Sequence, residues 1–199
     1  LMNSLSDVRF FRYVGNNKYI IIPSTSKDTI LIVDSNTATI TASTVPGLST
    51  IPSDPYPYIC QAATPKDGVT GESGPIIIGA GLSAPIYWYS YDEGVTWVMA
   101  AFDQQMILST IYARGGDYGG RSMAAGHNKE GGALYVCIPY GGYYAFYCDL
   151  DNGGKNPDGS LNWKVMRIPY SSYYDGLTDV FYDGHSFIAA SDFLSSFIE

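Results

Sequence analysis

The stretch SYDEGVTW, residues 90–97, gathers a carboxylate and two hydroxyls within a few positions: Ser90, Asp92 and Thr96, with Gly94 between them and Trp97 behind. Such a set has two uses. An aspartate among hydroxyls can do acid–base chemistry, or it can accept hydrogen bonds from backbone amides two or more residues on and hold a tight turn. Gly94 supplies the positive φ that such a turn needs. Trp97 is the first bulky apolar residue of the returning strand, placed to staple the hairpin to a neighbour. This spacing reads as a structural turn, and no residue of it is assigned a catalytic role.

Other groupings with chemical potential are weaker. Asp175 with Asp179, and Asp103 with Asp117, have the look of glycosidase carboxylate pairs, yet a chain with 19 acidic residues holds such pairs by chance. The spacing Asp149-x-Asp151-x-Gly153 begins like a calcium loop but lacks the closing Glu, so it reads as a solvated turn. His127 and His185 fall in turn regions without metal-ligand spacing. The three cysteines, Cys60, Cys137 and Cys148, form no Cys-x-x-Cys, which removes zinc and thioredoxin-like readings. Cys137 and Cys148 lie on the two arms of one hairpin and read as buried thiols. No Gly-x-Ser-x-Gly occurs. The Gly-rich stretch 113–122 lacks the Lys of a phosphate-binding loop. No catalytic residue, cofactor or metal is expected.

The elements that carry these residues are strands. Apolar runs of period two, bounded by Gly, Pro, Asn and Asp, recur along all 199 residues. The one ambiguous run, 99–113, reads as strand, turn and strand. Four runs align: KYIIIPS (18–24), PIIIGAG (75–81), LYVCIPY (134–140) and SFIAASD (186–192). A strand precedes each, and the first three are followed by two more. The unit is four short antiparallel strands repeated at roughly 50–60 residues, the signature of propeller blades. The fold class is therefore all-β: a β-propeller of four-stranded antiparallel blades, of which about three and a half are present. The blades are placed at 7–45, 57–102, 120–168 and 177–199, the last cut off after two strands. The final residues read as mid-strand, so the chain is expected to be a portion of something longer.

With the blades in place, a resemblance follows from residues 90–97. Ser90, Asp92, Gly94, Thr96 and Trp97 match, position for position, the Asp-box of sialidase-like, or BNR-repeat, β-propellers. NPDGSLNW (156–163) is a degraded copy, with Asp158 ahead of Trp163, and VDSNTATI keeps only Asp34 and Asn36. The resemblance implies a structural turn between the third and fourth strands of a blade. A sialidase would also need an arginine triad, and the candidates are Arg114, Arg121 and Arg167. MRIPY (166–170) has the letters of the family's early Arg-Ile-Pro signature but follows a blade's last strand. Arg114, Asp117, Tyr118 and Arg121 lie on the crossing from the second blade to the third. In propellers such crossings lie on the ligand-facing rim, so these four are the candidate ligand-binding residues, with a plain linker as the alternative.

Composition narrows the setting. Net charge is −8, charged residues are only 15%, and 18 of the residues are Tyr. No basic run offers a footprint for nucleic acid or an anionic membrane, and no apolar stretch is long enough to span a bilayer. Low charge with abundant Tyr, Gly and Ser suits a virion or extracellular protein. The expected function is a non-enzymatic structural or receptor- and glycan-binding module of a virion such as a phage tail. The alternative is a sialidase-like glycoside hydrolase seen as a fragment. Expected partners are other subunits or the remainder of the parent chain, and a host-surface glycan.

Overall fold

A computed structural model of the chain describes residues 8–15, 17–23, 28–50, 58–61, 74–79, 86–103, 120–139, 144–167, 177–191 and 195–198. Within these residues, fifteen strands form four antiparallel sheets in chain order. The first blade is β1 (Val8–Gly15), β2 (Lys18–Pro23), β3 (Thr29–Asp34) and β4 (Thr39–Thr44). The second is β5 (Tyr58–Gln61), β6 (Ile76–Gly79), β7 (Ile86–Ser90) and β8 (Val98–Ala101). The third is β9 (Gly120–His127), β10 (Ala133–Pro139), β11 (Tyr144–Asp149) and β12 (Lys164–Arg167). The fourth holds β13 (Leu177–Tyr182), β14 (Phe187–Ser191) and β15 (Ser195–Ile198). It therefore carries three strands where the sequence suggested two, because the apolar run near the end pairs with β14, Phe187 opposite Ile198.

Each sheet is a plain meander, and the first strand of each packs against the first strand of the next: β1 on β5, β5 on β9, β9 on β13. First strands gathered along one line, with later strands radiating outward, make a partial β-propeller. Alternation along the strands explains the stacking. Successive side chains point to opposite faces, and here both faces are apolar. In β6, Ile76 and Ile78 join a core with Ile20, Ile22, Ile30 and Ile32 of the first blade. Ile77, between them, joins Tyr87, Tyr135 and Phe146 in the core shared with the third blade. Val136 and Ile138 of β10 turn the other way, onto Val180, Phe187 and Ala189 of the fourth. The register of β10 on β11 sets Cys137 opposite Phe146 and Cys148 opposite Tyr135. Both thiols are buried and free, and burial pushes each up to about 12.

Close approach of inner strands is bought with a missing side chain at one point. A Cβ on Gly126 of β9 would fall 2.5 Å from the ring of Tyr182 on β13. Polar groups cross the seams as well. The fully buried Tyr135 hydroxyl donates to the Pro75 carbonyl of the preceding blade at 2.6 Å, and Trp88 Nε1 donates to the Pro46 carbonyl at 2.7 Å. Removing the Tyr135 hydroxyl strands the buried Pro75 carbonyl, at about 1–2 kcal/mol. Tyr135→Phe is thus expected to lower the free energy of unfolding by that amount in urea titration. An unchanged midpoint would mean that the hydroxyl is not part of the seam.

Candidate functional site

Residues 91–97 join β7 to β8, the third and fourth strands of the second blade. Asp92 organises the turn. Its Oδ1 accepts from the Ser90 hydroxyl at 2.8 Å and the Thr96 amide at 2.8 Å, and its Oδ2 accepts from the Thr96 hydroxyl at 2.6 Å. Ser90 Oγ in turn accepts the Gly94 amide at 2.7 Å. The two residues at the tip, Glu93 (φ 58) and Gly94 (φ 90), have left-handed backbone. A Cβ on Gly94 would also lie 2.6 Å from Ile32 Cδ1 of the first blade.

The turn reaches across the seam. Trp97 is buried and packs into the core shared with the first blade. Its Nε1 donates to the Gly94 carbonyl at 2.9 Å and to Ser43 Oγ at 3.1 Å, and Ser43 Oγ donates to the Gly94 carbonyl at 2.6 Å. Ser43 belongs to β4, so this tryptophan staples one blade to the one before it. Glu93 adds an ion pair with Lys18 of the first blade. Sequence reasoning missed Ser43, whose only signal is a small polar residue among the inward positions of TITAST.

Partial burial pushes the Asp92 carboxyl up, but the Thr96 hydroxyl, the Thr96 amide and the Ser90 hydroxyl outweigh it and hold the group below the usual carboxylate range. A carboxylate spending its oxygens on its own turn is poorly placed to act on a substrate. The degraded copy behaves alike on a smaller scale: Asp158 Oδ1 accepts from the Ser160 amide at 2.9 Å and the Ser160 hydroxyl at 2.6 Å. In the first blade Asp34 Oδ1 takes the amides of Asn36 at 2.9 Å and Thr37 at 3.2 Å.

The remaining candidates lie partly outside the described residues. Arg114, Asp117 and Tyr118 lie outside the described residues, as do Asp175 and most of the run 99–113. Arg121 falls near the start of β9 and Arg167 at the end of β12. Asp179, half of one proposed carboxylate pair, bonds Ser122 of the third blade and its neighbouring Val180 amide, a structural use. Asp149 accepts from Asn128 Nδ2 at 3.0 Å and Asn152 Nδ2 at 2.8 Å, and residues 150–152 coil into one 3-10 turn. His127 is the last residue of β9, opposite Ala133, rather than in a turn, and its ring packs edge-on to Tyr182. His185 lies in the β13–β14 turn, where Asp183 Oδ1 accepts its amide at 2.7 Å.

No family model matches the chain, and no curated protein matches it. A solved structure titled "YCF48 bound to D1 peptide" is similar at a TM-score of 0.36 and 14% identity, over 92% of this chain. The chain spans 61% of that structure's length, and the propeller assignment rests on the sheets themselves.

Two substitutions probe the turn. Gly94→Ala is expected to cost about 1–2 kcal/mol from the left-handed backbone alone, with displacement of Ile32 in addition; a cost below the uncertainty of a urea titration would contradict this geometry. Asp92→Ala is expected to cost about 1 kcal/mol at neutral pH, at the low end because the carboxylate meets water. Its folded pKa is depressed, so the stabilisation is complete above the unfolded value of about 4 and fades as pH falls through the folded one. The gap between wild type and Asp92→Ala should accordingly narrow on acidification, and a gap constant with pH would show that the ionised carboxylate is not what holds the turn.

Proposed function

We propose that the chain is a non-enzymatic propeller module that serves structure and receptor or glycan binding in a virion such as a phage tail. Its open faces are covered by other subunits or by the remainder of the parent chain. The observation that carries this reading is the face of the first blade that points away from the second. Phe11, Tyr13, Tyr19, Ile21, Leu31 and Val33 alternate with the residues of the first seam and pair across it: Phe11 opposite Ile21, Tyr13 opposite Tyr19, Ile21 opposite Leu31. All are apolar or aromatic. Ile21 and Leu31 are buried, while Phe11 and Tyr13 remain 58% and 53% exposed, and Phe11 stacks on Tyr19 at 5.2 Å.

The equivalent positions inside the molecule are covered. Tyr19 opens the run YIIIP as Tyr135 opens YVCIP. Tyr135 is fully buried against the preceding blade, whereas Tyr19 has no described blade before it. At the other end, Phe181 is 46% exposed and sits opposite Ile188. Two large rings exposed side by side on an apolar sheet face support an interaction surface there. The hydrogen bonds of residues 90–97 support the kinship with Asp-box propellers, and they leave the sialidase-like alternative to an assay.

Light scattering of the full-length protein with and without Phe11→Asp and Tyr13→Asp tests the reading. Association of the wild type and its loss in the double variant, at an unchanged melting temperature, is the expected result. A wild type that stays monomeric with both rings solvent-exposed would overturn it. Turnover of a fluorogenic sialoside by the wild type would instead favour the hydrolase.

A further inference from the structure

The first and second seams differ where β4 and β8 face the next blade, and a groove runs along the second. In the first seam Ser43, opposite Ile30 on β4, supplies the acceptor for Trp97 Nε1. In the second seam the residue that faces the next blade from the same place is Ala100, opposite Tyr87 on β8. Trp163, the counterpart of Trp97, packs into that seam against Tyr87 and Phe102 and is 7% exposed. Its Nε1 is buried beside the Tyr87 hydroxyl without hydrogen-bond geometry and has no partner among the described residues. Tyr87 spends its own hydroxyl on Leu161, donating to the carbonyl at 3.3 Å and accepting the amide at 3.2 Å.

The connection between third and fourth strands is also longer in this blade, 150–163 against 91–97. It folds back through a bridge between Lys155 and Leu161, and Lys155 Nζ sits 4.4 Å over the ring of Tyr91 on the second blade. Between this arm and β8 runs a groove of about 850 Å³, within the range of ligand pockets. One wall is apolar: Val98, half exposed, with Ala100 behind it. The other carries Asn156, Asp158, Ser160 and Asn162. The Oδ2 of Asp158 and the Oδ1 of Asn162 have no bond among the described residues, while Asn162 Nδ2 is held by the Gly153 carbonyl at 2.8 Å. Burial, then the nearby Asp158 charge, raises the Tyr89 hydroxyl, which keeps it a donor.

We propose that this groove binds a short, uncharged oligosaccharide. A pyranose has one apolar C–H face and an equatorial edge of hydroxyls, and the groove sets an apolar wall against a wall of amide, hydroxyl and carboxylate groups. Charge excludes acidic sugars. Asp103 and Asp158 both line the groove, and Lys164, the one cation lining it among the described residues, donates to the Asn152 carbonyl at 2.7 Å. The groove lies on the outer rim between the second and third blades. It gives the binding module a ligand class and so rests on that reading.

Titration of the full-length protein by tryptophan fluorescence and saturation-transfer NMR provides the test, with cellotriose, chitotriose, lactose and sialyllactose as probes. Binding of at least one neutral sugar, weakened about tenfold by Val98→Glu and by Asn162→Ala at unchanged melting temperature, is expected. Sialyllactose should not bind there. Ala100→Ser, which offers Trp163 Nε1 the acceptor found in the first seam, should raise the melting temperature and weaken the sugar. If a neutral sugar binds equally well to both groove variants, the groove is not the site and the binding-module reading survives. If no neutral sugar binds, or sialyllactose binds in the groove, the proposal fails, while the binding-module reading stands or falls on the face of the first blade.

Discussion

Every blade in this chain is apolar on both faces, and that constraint governs the rest. A four-stranded meander with one polar face could stand on a core or in water. One that places Ile76 and Ile78 on one side and Ile77 on the other needs neighbours on both. Stacking around a common line of first strands meets the need, because each blade then covers the next. The core is accordingly divided into layers between sheets, and the energy that holds the fold resides in seams.

Hydrophobic layers alone would let blades slide, since apolar contact is non-directional. The seams contain directional bonds as well: Ser43 to the Gly94 carbonyl, Tyr87 to the Leu161 backbone, Tyr135 to the Pro75 carbonyl and Ser122 to Val180. Each joins a side chain of one blade to the backbone of another, and each is buried, where an unmade bond is costly. The aspartate turn belongs to this system. Asp92 shapes the loop so that Gly94 presents its carbonyl to both Ser43 and Trp97. Its chemistry is positional, which is why a motif rich in oxygen ligands needs no substrate to account for it.

The strands and their grouping were legible in the sequence because the signal is local: period two, turn residues at the ends, and a recurring run with Tyr19 and Tyr135 at like places. The interior of the Ser90–Trp97 turn was legible for the same reason, with Asp92, Gly94 and Thr96 a few residues apart. What the turn touches was not. Ser43 lies 54 positions from Trp97, and its pairing depends on the register of β4 and on which face of the first blade meets the second. The contrast between Ser43 and Ala100 appears only after two sheets are superposed by register, and the groove along the second seam has no linear signature. The strand β15 was underestimated because four residues at a chain end look the same whether paired or not. The loop at 113–121, the most suggestive stretch for ligand binding, falls outside the described residues apart from its entry into β9.

The account stands on the claim that the outward face of the first blade is half of a seam. Hydroxyl-radical footprinting of the full-length protein in its native assembly measures this directly, with two tyrosines of the same chain as standards. Tyr135 is buried in a seam, and Tyr91 is 41% exposed. The account predicts that Tyr13 and Phe11 are protected to the level of Tyr135. Modification of both at the rate of Tyr91 or faster would contradict it, and would mean that this blade is built to face water.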